Sequence, residues 1–147
     1  NVAGHMDVHI DSSIVVVDGK KCKMYMKNFG EFFNNQVEHA GTIVLSRTQS
    51  MTEEKLAEAV KMLREHNPNA YIVCAYGVMD DPLAETEEAQ IERFKSELGD
   101  NIEFVRLPVQ QEADGIGADW HPSENTHTKM AILLSEKING IFEKMGL

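Results

Sequence analysis

Four short apolar runs, separated by longer amphipathic segments, constrain the fold of this chain more than any other feature. The runs are rich in β-branched residues and lie at 13–18, 42–46, 70–76 and 102–107. Runs of this length and composition are typical of buried β-strands. Because strands alternate strictly with helical segments, we predict one α/β domain with about four parallel strands and helices on both faces of the sheet. This is a three-layer sandwich of the Rossmann-like or flavodoxin-like class.

The helical segments are expected at 21–40, from about 52 to 67, at 83–98 and at 125–145. Gly30 lowers the stability of the first helix by about 1 kcal/mol relative to Ala, so a kink is expected there. Thr52 is a predicted N-cap, because acidic residues follow it directly. Pro68 ends that helix, and the strand at 70–76 follows as the most continuous apolar run in the middle of the chain.

Composition excludes several classes of partner. The chain has 147 residues and a formal net charge of −10, which disfavours binding to nucleic acid. A basic run, Lys20-Lys21-Cys22-Lys23, is either a solvated helix start or an anion or membrane-surface contact. No apolar run is long enough to cross a bilayer, so no membrane partner is expected.

Two features bear on origin. The two cysteines form no CxxC motif, so a reducing compartment is expected. This compartment is the cytoplasm, unless the chain is a recombinant protein that has no native compartment. Residues 1–6, NVAGHM, look like a cloning remnant, which leaves 7–147 as the domain.

A glycine-rich loop at 108–123 is the strongest candidate for chemistry. In parallel sheets, ligands bind beyond the carboxyl ends of the strands, where this loop would lie. His121, in a polar loop just before a helix, is placed to act as a general base, and Trp120 can shape a small pocket beside it. Alternatively, His121 is bonded locally and Trp120 is a lid over the core.

The motifs IVCAYG at 72–77, VRLP at 105–108 and GADWHPS at 117–123 resemble the last part of an SGNH (GDSL-type) hydrolase. The resemblance is greatest to the acetyl esterases of carbohydrate esterase family 2. It implies that His121 is the catalytic histidine, which activates a serine for attack on an acyl ester. The superfamily has Asp three residues before this histidine, whereas here Ala118 stands there and Asp119 is two before. The esterase family named works with a Ser–His pair.

The nucleophile of that superfamily has no counterpart here. It belongs to a GDS-type motif after the first strand, where this chain has Asp18-Gly19-Lys20. Ser12 and Ser13 precede that strand, at its opposite end. Without a hydroxyl to deprotonate, a histidine can act only on water.

The first half carries a second resemblance. SIVVVDG at 13–19, NFGEFFNNQVEHA at 28–40 and TIVLSRTQ at 42–49 resemble the middle of a CobW-type P-loop GTPase. Its guanine-reading NKxD motif is replaced by Ser46-Arg47-Thr48-Gln49, so Gln49 stands where the aspartate would be. The phosphate-binding GxxxxGK[ST] loop and the CxCC metal motif are missing from the sequence, so nucleotide hydrolysis is not expected.

We therefore predict a hybrid α/β scaffold without native catalysis or cofactor. A GTPase-like half, 7–69, joins an esterase-like half, 70–147, through engineering, natural fusion or decay of a longer protein. One alternative is a weak acetyl esterase that uses His121 with Ser46 or Ser50. Another is a module that retains binding of a nucleotide or small ligand at 46–49.

No metal site is predicted. Asp80 and Asp81 could bind a cation with Asp18, but paired acids before a proline usually cap a helix. The histidines His9, His39 and His66 lack the spacing of metal ligands. If the first strand lies at an edge of the sheet, its unpaired backbone can form a homodimer.

Overall fold

A computed structural model describes residues 12–79 and 82–147 of the chain. The predicted cloning remnant at 1–6 lies outside the described residues. The elements in chain order are β1 (Ile14–Asp18), α1 (Cys22–Asn28), α2 (Gly30–Glu38), β2 (Thr42–Ser46), α3 (Glu53–His66), β3 (Tyr71–Tyr76), α4 (Ala84–Leu98), β4 (Ile102–Arg106) and α5 (Glu124–Met145). Short 3-10 turns lie at Gly19–Lys21, Thr48–Ser50, Glu112–Asp114 and Ala118–Trp120.

The four strands form one parallel sheet in the order β1-β2-β3-β4. Each crossover therefore moves in the same direction, and right-handed connections place α1 to α4 on one face. The larger core lies on that face, where Leu45 and Ile72 of the sheet pack with Leu63 of α3. A smaller core on the other face joins Val73 to Ile141 of α5. The predicted sandwich of four parallel strands with helices on both faces is confirmed.

The predicted helix at 21–40 is divided in two at Phe29. Phe29 has φ −108° and ψ 10°, outside the helical region, and Gly30 begins α2. Tyr25 of α1 packs edge-on against Phe29 and Phe33, with ring centroids 5.5 and 5.7 Å apart. The break thus lies at Phe29, one residue before the kink predicted at Gly30, and the rings of Phe29 and Phe33 both contact Tyr25 across it.

The predicted ends of α3 are also confirmed. The Thr52 hydroxyl accepts a hydrogen bond from the backbone N–H of Lys55 at 3.4 Å. At the other end, the two amide hydrogens of the buried Asn67 side chain are shared among three carbonyls, those of Val37 and Glu38 in the last turn of α2 and that of Ala40. Its carbonyl oxygen accepts from the N–H groups of Asn69 and Ala70. Asn67 therefore fixes the start of β3 against the preceding β-α-β unit.

β1 lies at one edge of the sheet, as the homodimer prediction requires. On its α5-facing side, Val16 is 66% exposed and Ile14 is 47% exposed, because α5 packs over the strands beyond it. β3 is paired on both sides, with β2 and β4, and from Ile72 to Tyr76 it is buried. Within the described part of the chain, no helix is long and apolar enough to cross a membrane.

Candidate functional site

The loop that follows β4 is tied to the exit of the central strand. The Leu107 N–H donates to the carbonyl of Tyr76 at 3.1 Å, and the Gln110 N–H donates to that of Val78 at 2.8 Å. These bonds hold the loop beside the carboxyl end of β3, the edge where parallel sheets bind ligands. The sequence analysis predicted that the histidine loop lies beyond the carboxyl ends of the strands, and the structure confirms this position.

His121 closes a tight turn within this loop. The Gly117 N–H donates to the carbonyl of His121 at 2.8 Å, and the His121 N–H donates to that of Ala118 at 3.0 Å. Asp119 and Trp120, between them, both have left-handed backbone, with φ 51° and 62°. For residues other than glycine this conformation is costly, and it persists only where surrounding contacts enforce it. The backbone of His121 is therefore held in one position.

A second set of bonds fixes the loop to α5. Ser123 caps this helix, its hydroxyl oxygen accepting from the Thr126 N–H at 3.2 Å. The same hydroxyl donates to the carbonyl of Asp114 at 2.7 Å. The Lys129 ammonium donates to the two carboxylate oxygens of Asp114 at 2.6 and 2.7 Å. Both ends of the loop that carries His121 are thus anchored.

The side chains of the turn point outward. Trp120 is 69% exposed and lines an open cavity of about 450 Å³ with Asp119, Glu112, Ile116 and Gly117. The alternative in which Trp120 is a lid over the core is therefore wrong. His121 is exposed, and its imidazole forms no hydrogen bond with any residue in 12–79 or 82–147. Its local bonds are made by its backbone alone.

Three hydroxyls near the carboxyl ends of the strands are bound to backbone carbonyls. Ser46 donates to Val17 at 3.1 Å, on the β1 side of β2, and Thr48 donates to Ala75 at 3.3 Å. The third is Ser123, described above. The structure therefore does not bring the hydroxyl of Ser46 to His121. Ser50, the other predicted partner, ends a 3-10 turn after β2, two strands away from the exit of β4.

Neither cysteine substitutes as a nucleophile. Burial raises the pKa of the Cys22 thiol to about 11. Burial and the nearby Glu87 carboxyl also raise the pKa of Cys74, which lies inside β3. A protonated thiol is a poor nucleophile, so both side chains act as small apolar groups at neutral pH.

Residues 46–49, at the position of the lost guanine-reading motif, are engaged with the fold. Arg47 has left-handed backbone, with φ 61°, and its guanidinium lies 3.4 Å from a carboxylate oxygen of Asp18. Thr48 is buried, and the buried amide oxygen of Gln49 has no partner in the described part of the chain. Beside Thr48, burial raises the pKa of the Glu87 carboxyl. Of the four residues, Arg47 is exposed, Ser46 and Gln49 are half-buried, and Thr48 is buried.

Over 12–79 and 82–147, no three His, Cys, Asp or Glu side chains lie close enough together to hold a metal ion. Asp18, one member of the predicted acidic set, accepts from the Lys20 N–H and pairs with Arg47. Asp80, Asp81 and His9 lie outside the described residues. His39 and His66 each hydrogen-bond a carbonyl of their own helix, at 2.9 Å in both cases.

Comparison with known proteins relates part of the chain to esterases. A stretch of 102 residues, 66% of this chain, is 30% identical to part of the Cellulase/esterase CelE of Acetivibrio thermocellus. It spans only 12% of that protein. No family model matches the chain.

Solved structures of carbohydrate esterases share the fold. A family two carbohydrate esterase from Clostridium thermocellum, in complex with cellohexaose, aligns with 73% of this chain and 37% of its own, at a TM-score of 0.60 and 25% identity. An acetyl xylan esterase from the rumen bacterium Butyrivibrio proteoclasticus aligns with 69% of this chain and 28% of its own, at a TM-score of 0.51 and 26% identity. The chain is thus similar, in sequence and in fold, to part of the family 2 carbohydrate esterases, which confirms the predicted resemblance of its C-terminal region.

Proposed function

We propose that this chain is a carbohydrate-esterase-like domain in which His121 acts as a general base toward acyl esters. The observation that carries the proposal is the fixed turn at 117–121, which holds the His121 backbone by two hydrogen bonds and leaves its imidazole exposed. The similarity to CelE and to solved family 2 esterases supports an ester as the class of substrate. Because the chain spans only part of each relative, their substrates are not carried over.

The reaction proposed is hydrolysis with water as the nucleophile. The neutral imidazole of His121 takes a proton from a water molecule while the water oxygen bonds to the acyl carbon. The resulting tetrahedral species then expels the alcohol, which receives the proton from the imidazolium. A general base contributes typically 10²- to 10⁴-fold, so the expected rate is far below that of an enzyme with an activated serine.

A second candidate is the predicted hybrid scaffold without catalysis. The hydroxyls of Ser46, Thr48 and Ser123 favour it, because each donates to a backbone carbonyl and none to a base. On this proposal, the GTPase-like half at 7–69 supplies β1, β2 and their helices, and the esterase-like half supplies the rest. The buried free thiols Cys22 and Cys74 are consistent with a reducing compartment such as the cytoplasm.

One comparison of variants separates the two candidates. Hydrolysis of p-nitrophenyl acetate is measured for the unaltered chain, for His121→Ala and for the matched control His127→Ala. His127 is also exposed and lies in the first turn of α5, so its loss corrects for the intrinsic reaction of any surface imidazole with this ester. A rate lost in His121→Ala and retained in His127→Ala supports the base. Equal rates in the two variants contradict it and favour the scaffold.

Nucleotide binding at 46–49 is tested separately. A saturable rise in melting temperature with GTP and magnesium would support a binding module. An unchanged melting temperature is expected, because Thr48 is buried and Arg47 is paired with Asp18.

A further inference from the structure

A cleft beyond the ends of β1 and β2 lies on the opposite side of the sheet from α5. Its volume is about 520 Å³, and it lies between the turn after β1 and the first turns of α3. The lining residues are Gly19, Lys20, Lys23, Ser50, Met51, Lys55, Glu58 and Ala59. A volume of this size is in the range of small-molecule sites.

Three lysines and one glutamate face this cleft, which gives its lining a formal charge of +2. The whole chain has a formal net charge of −10, so the cleft lining is positive although the protein as a whole is negative. The Lys23 ammonium is paired with the Glu58 carboxylate at 2.6 Å. Among the residues that the structure describes, Lys20 and Lys55 have no carboxylate partner. Two exposed ammonium groups are therefore available to bind an anion in the cleft.

The floor of the cleft is built by close packing of the turn after β1 on the segment after β2. A Cβ atom at Gly19 would lie 2.7 Å from the sulfur of Met51 and 3.1 Å from the carbonyl oxygen of Ser46. A side chain there would require Met51 to move and would crowd the backbone of Ser46, so Gly19 packs its backbone directly on Met51. The Asp18 carboxylate accepts from the Lys20 N–H at 3.0 Å and so fixes the turn that carries this lysine. Met51 and Ala59 add an apolar surface to the floor.

We propose that this cleft binds a small phosphorylated molecule. Its phosphate oxygens would accept from the ammonium groups of Lys20 and Lys55, and its apolar part would cover Met51. A phosphate fits better than a single carboxylate, because it presents several anionic oxygens to two separate donors. A nucleic-acid backbone fits less well, because it requires a continuous basic surface and the chain is acidic. This site is separate from the His121 loop and does not depend on its chemistry.

Lysine variants test the site directly. Binding of inorganic pyrophosphate is measured by isothermal titration calorimetry at low ionic strength. Lys20→Gln and Lys55→Gln are each expected to weaken binding roughly tenfold, through loss of one charge-assisted contact. Lys61→Gln is the matched control, since Lys61 also lies on α3 but pairs with Glu65 outside the cleft. Equal weakening in all three variants, or no binding by the unaltered chain, overturns the proposal.

Removal of the acidic residue from the cleft should strengthen pyrophosphate binding. Glu58→Gln removes the negative charge from the lining and releases Lys23, so pyrophosphate should bind several-fold more tightly. The control, Glu65→Gln, removes the same charge one helical turn beyond Lys61 and should leave affinity within twofold. If both substitutions strengthen binding equally, the effect is that of net charge alone and the cleft is not the site.

Discussion

Asn67 is expected to contribute more to stability than any other polar side chain described here. Its side chain is 7% exposed and makes five hydrogen bonds, all with backbone groups. Three of these join it to the end of α2 and to Ala40, and two hold the start of β3. Asn67→Ala removes all five and leaves the buried carbonyls of Val37 and Ala40 without these donors.

The size of the effect follows from these bonds. A hydrogen bond contributes about 1 kcal/mol net, and buried partners left unsatisfied cost about 1–3 kcal/mol each, partly relieved by water. We expect Asn67→Ala to lower the free energy of unfolding by about 3–5 kcal/mol, a large share of the roughly 5–15 kcal/mol of a typical domain. Asn67→Asp should cost at least as much, because it places a carboxylate oxygen against three carbonyls.

Urea unfolding followed by circular dichroism measures both variants, with Asn69→Ala as control. Asn69 takes part through its backbone N–H, which the substitution keeps, so a change within about 0.5 kcal/mol is expected. A loss below 1 kcal/mol in Asn67→Ala, or a more stable Asn67→Asp, would refute the assignment of these bonds.

Three further predictions concern other parts of the fold. Burial raises the pKa of the Glu87 carboxyl, so the contribution of this group to stability is present below its unfolded pKa and is lost as pH rises through its folded pKa. Glu87→Gln should therefore raise the melting temperature at pH 7, and this increase should become smaller toward pH 4. Gly140→Ala should stabilise α5 by about 0.5–1 kcal/mol in urea unfolding, because the added Cβ would meet no atom within 4 Å apart from the neighbouring residues and backbone of its own helix. We expect a homodimer through the edge of β1, and sedimentation velocity should show Val16→Lys as a monomer of unchanged stability.

The elements could be predicted because their signals are local. Thr52 and Pro68 mark the ends of α3 by capping and by steric exclusion, and both act within a few residues. The break at Phe29 was expected one residue later, at Gly30, because helix propensity ranks glycine as the weak point. The non-helical residue is instead Phe29, whose ring packs against that of Tyr25, a contact that propensity does not describe.

The candidate site was only partly predictable. Its location follows from topology, since His121 precedes a helix after the last strand. The conformation of the turn did not follow, because positive φ is normally assigned to glycine, whereas here Asp119 and Trp120 adopt it and Gly117 has φ −75°. Gly117 instead provides close approach, because a Cβ there would lie 3.0 Å from the His121 carbonyl oxygen. In the separate cleft beside β1, the sequence analysis named Lys20 but not Lys55, because Lys55 reaches that cleft only through the packing of α3.

The two halves of the chain are joined by contacts that make independent unfolding unfavourable. Arg64, in the first half, donates to the carbonyls of Ala70 and Asn101 in the second, and β2 pairs with β3 along its length. Separating the halves would break these bonds together with those of Asn67. The domain should therefore unfold in one transition, whatever the origin of its halves.

The two cysteines allow the unfolding of each half of the chain to be followed separately. Cys22 lies in the first half and Cys74 in the second, and both are fully buried free thiols. In Cys74→Ala, thiol labelling during urea unfolding reports only the first half, and in Cys22→Ala only the second. Each labelling midpoint should coincide with that from circular dichroism of the same variant. If one thiol becomes reactive at a clearly lower urea concentration, its half unfolds alone, and the bonds of Arg64 and Asn67 do not couple the two.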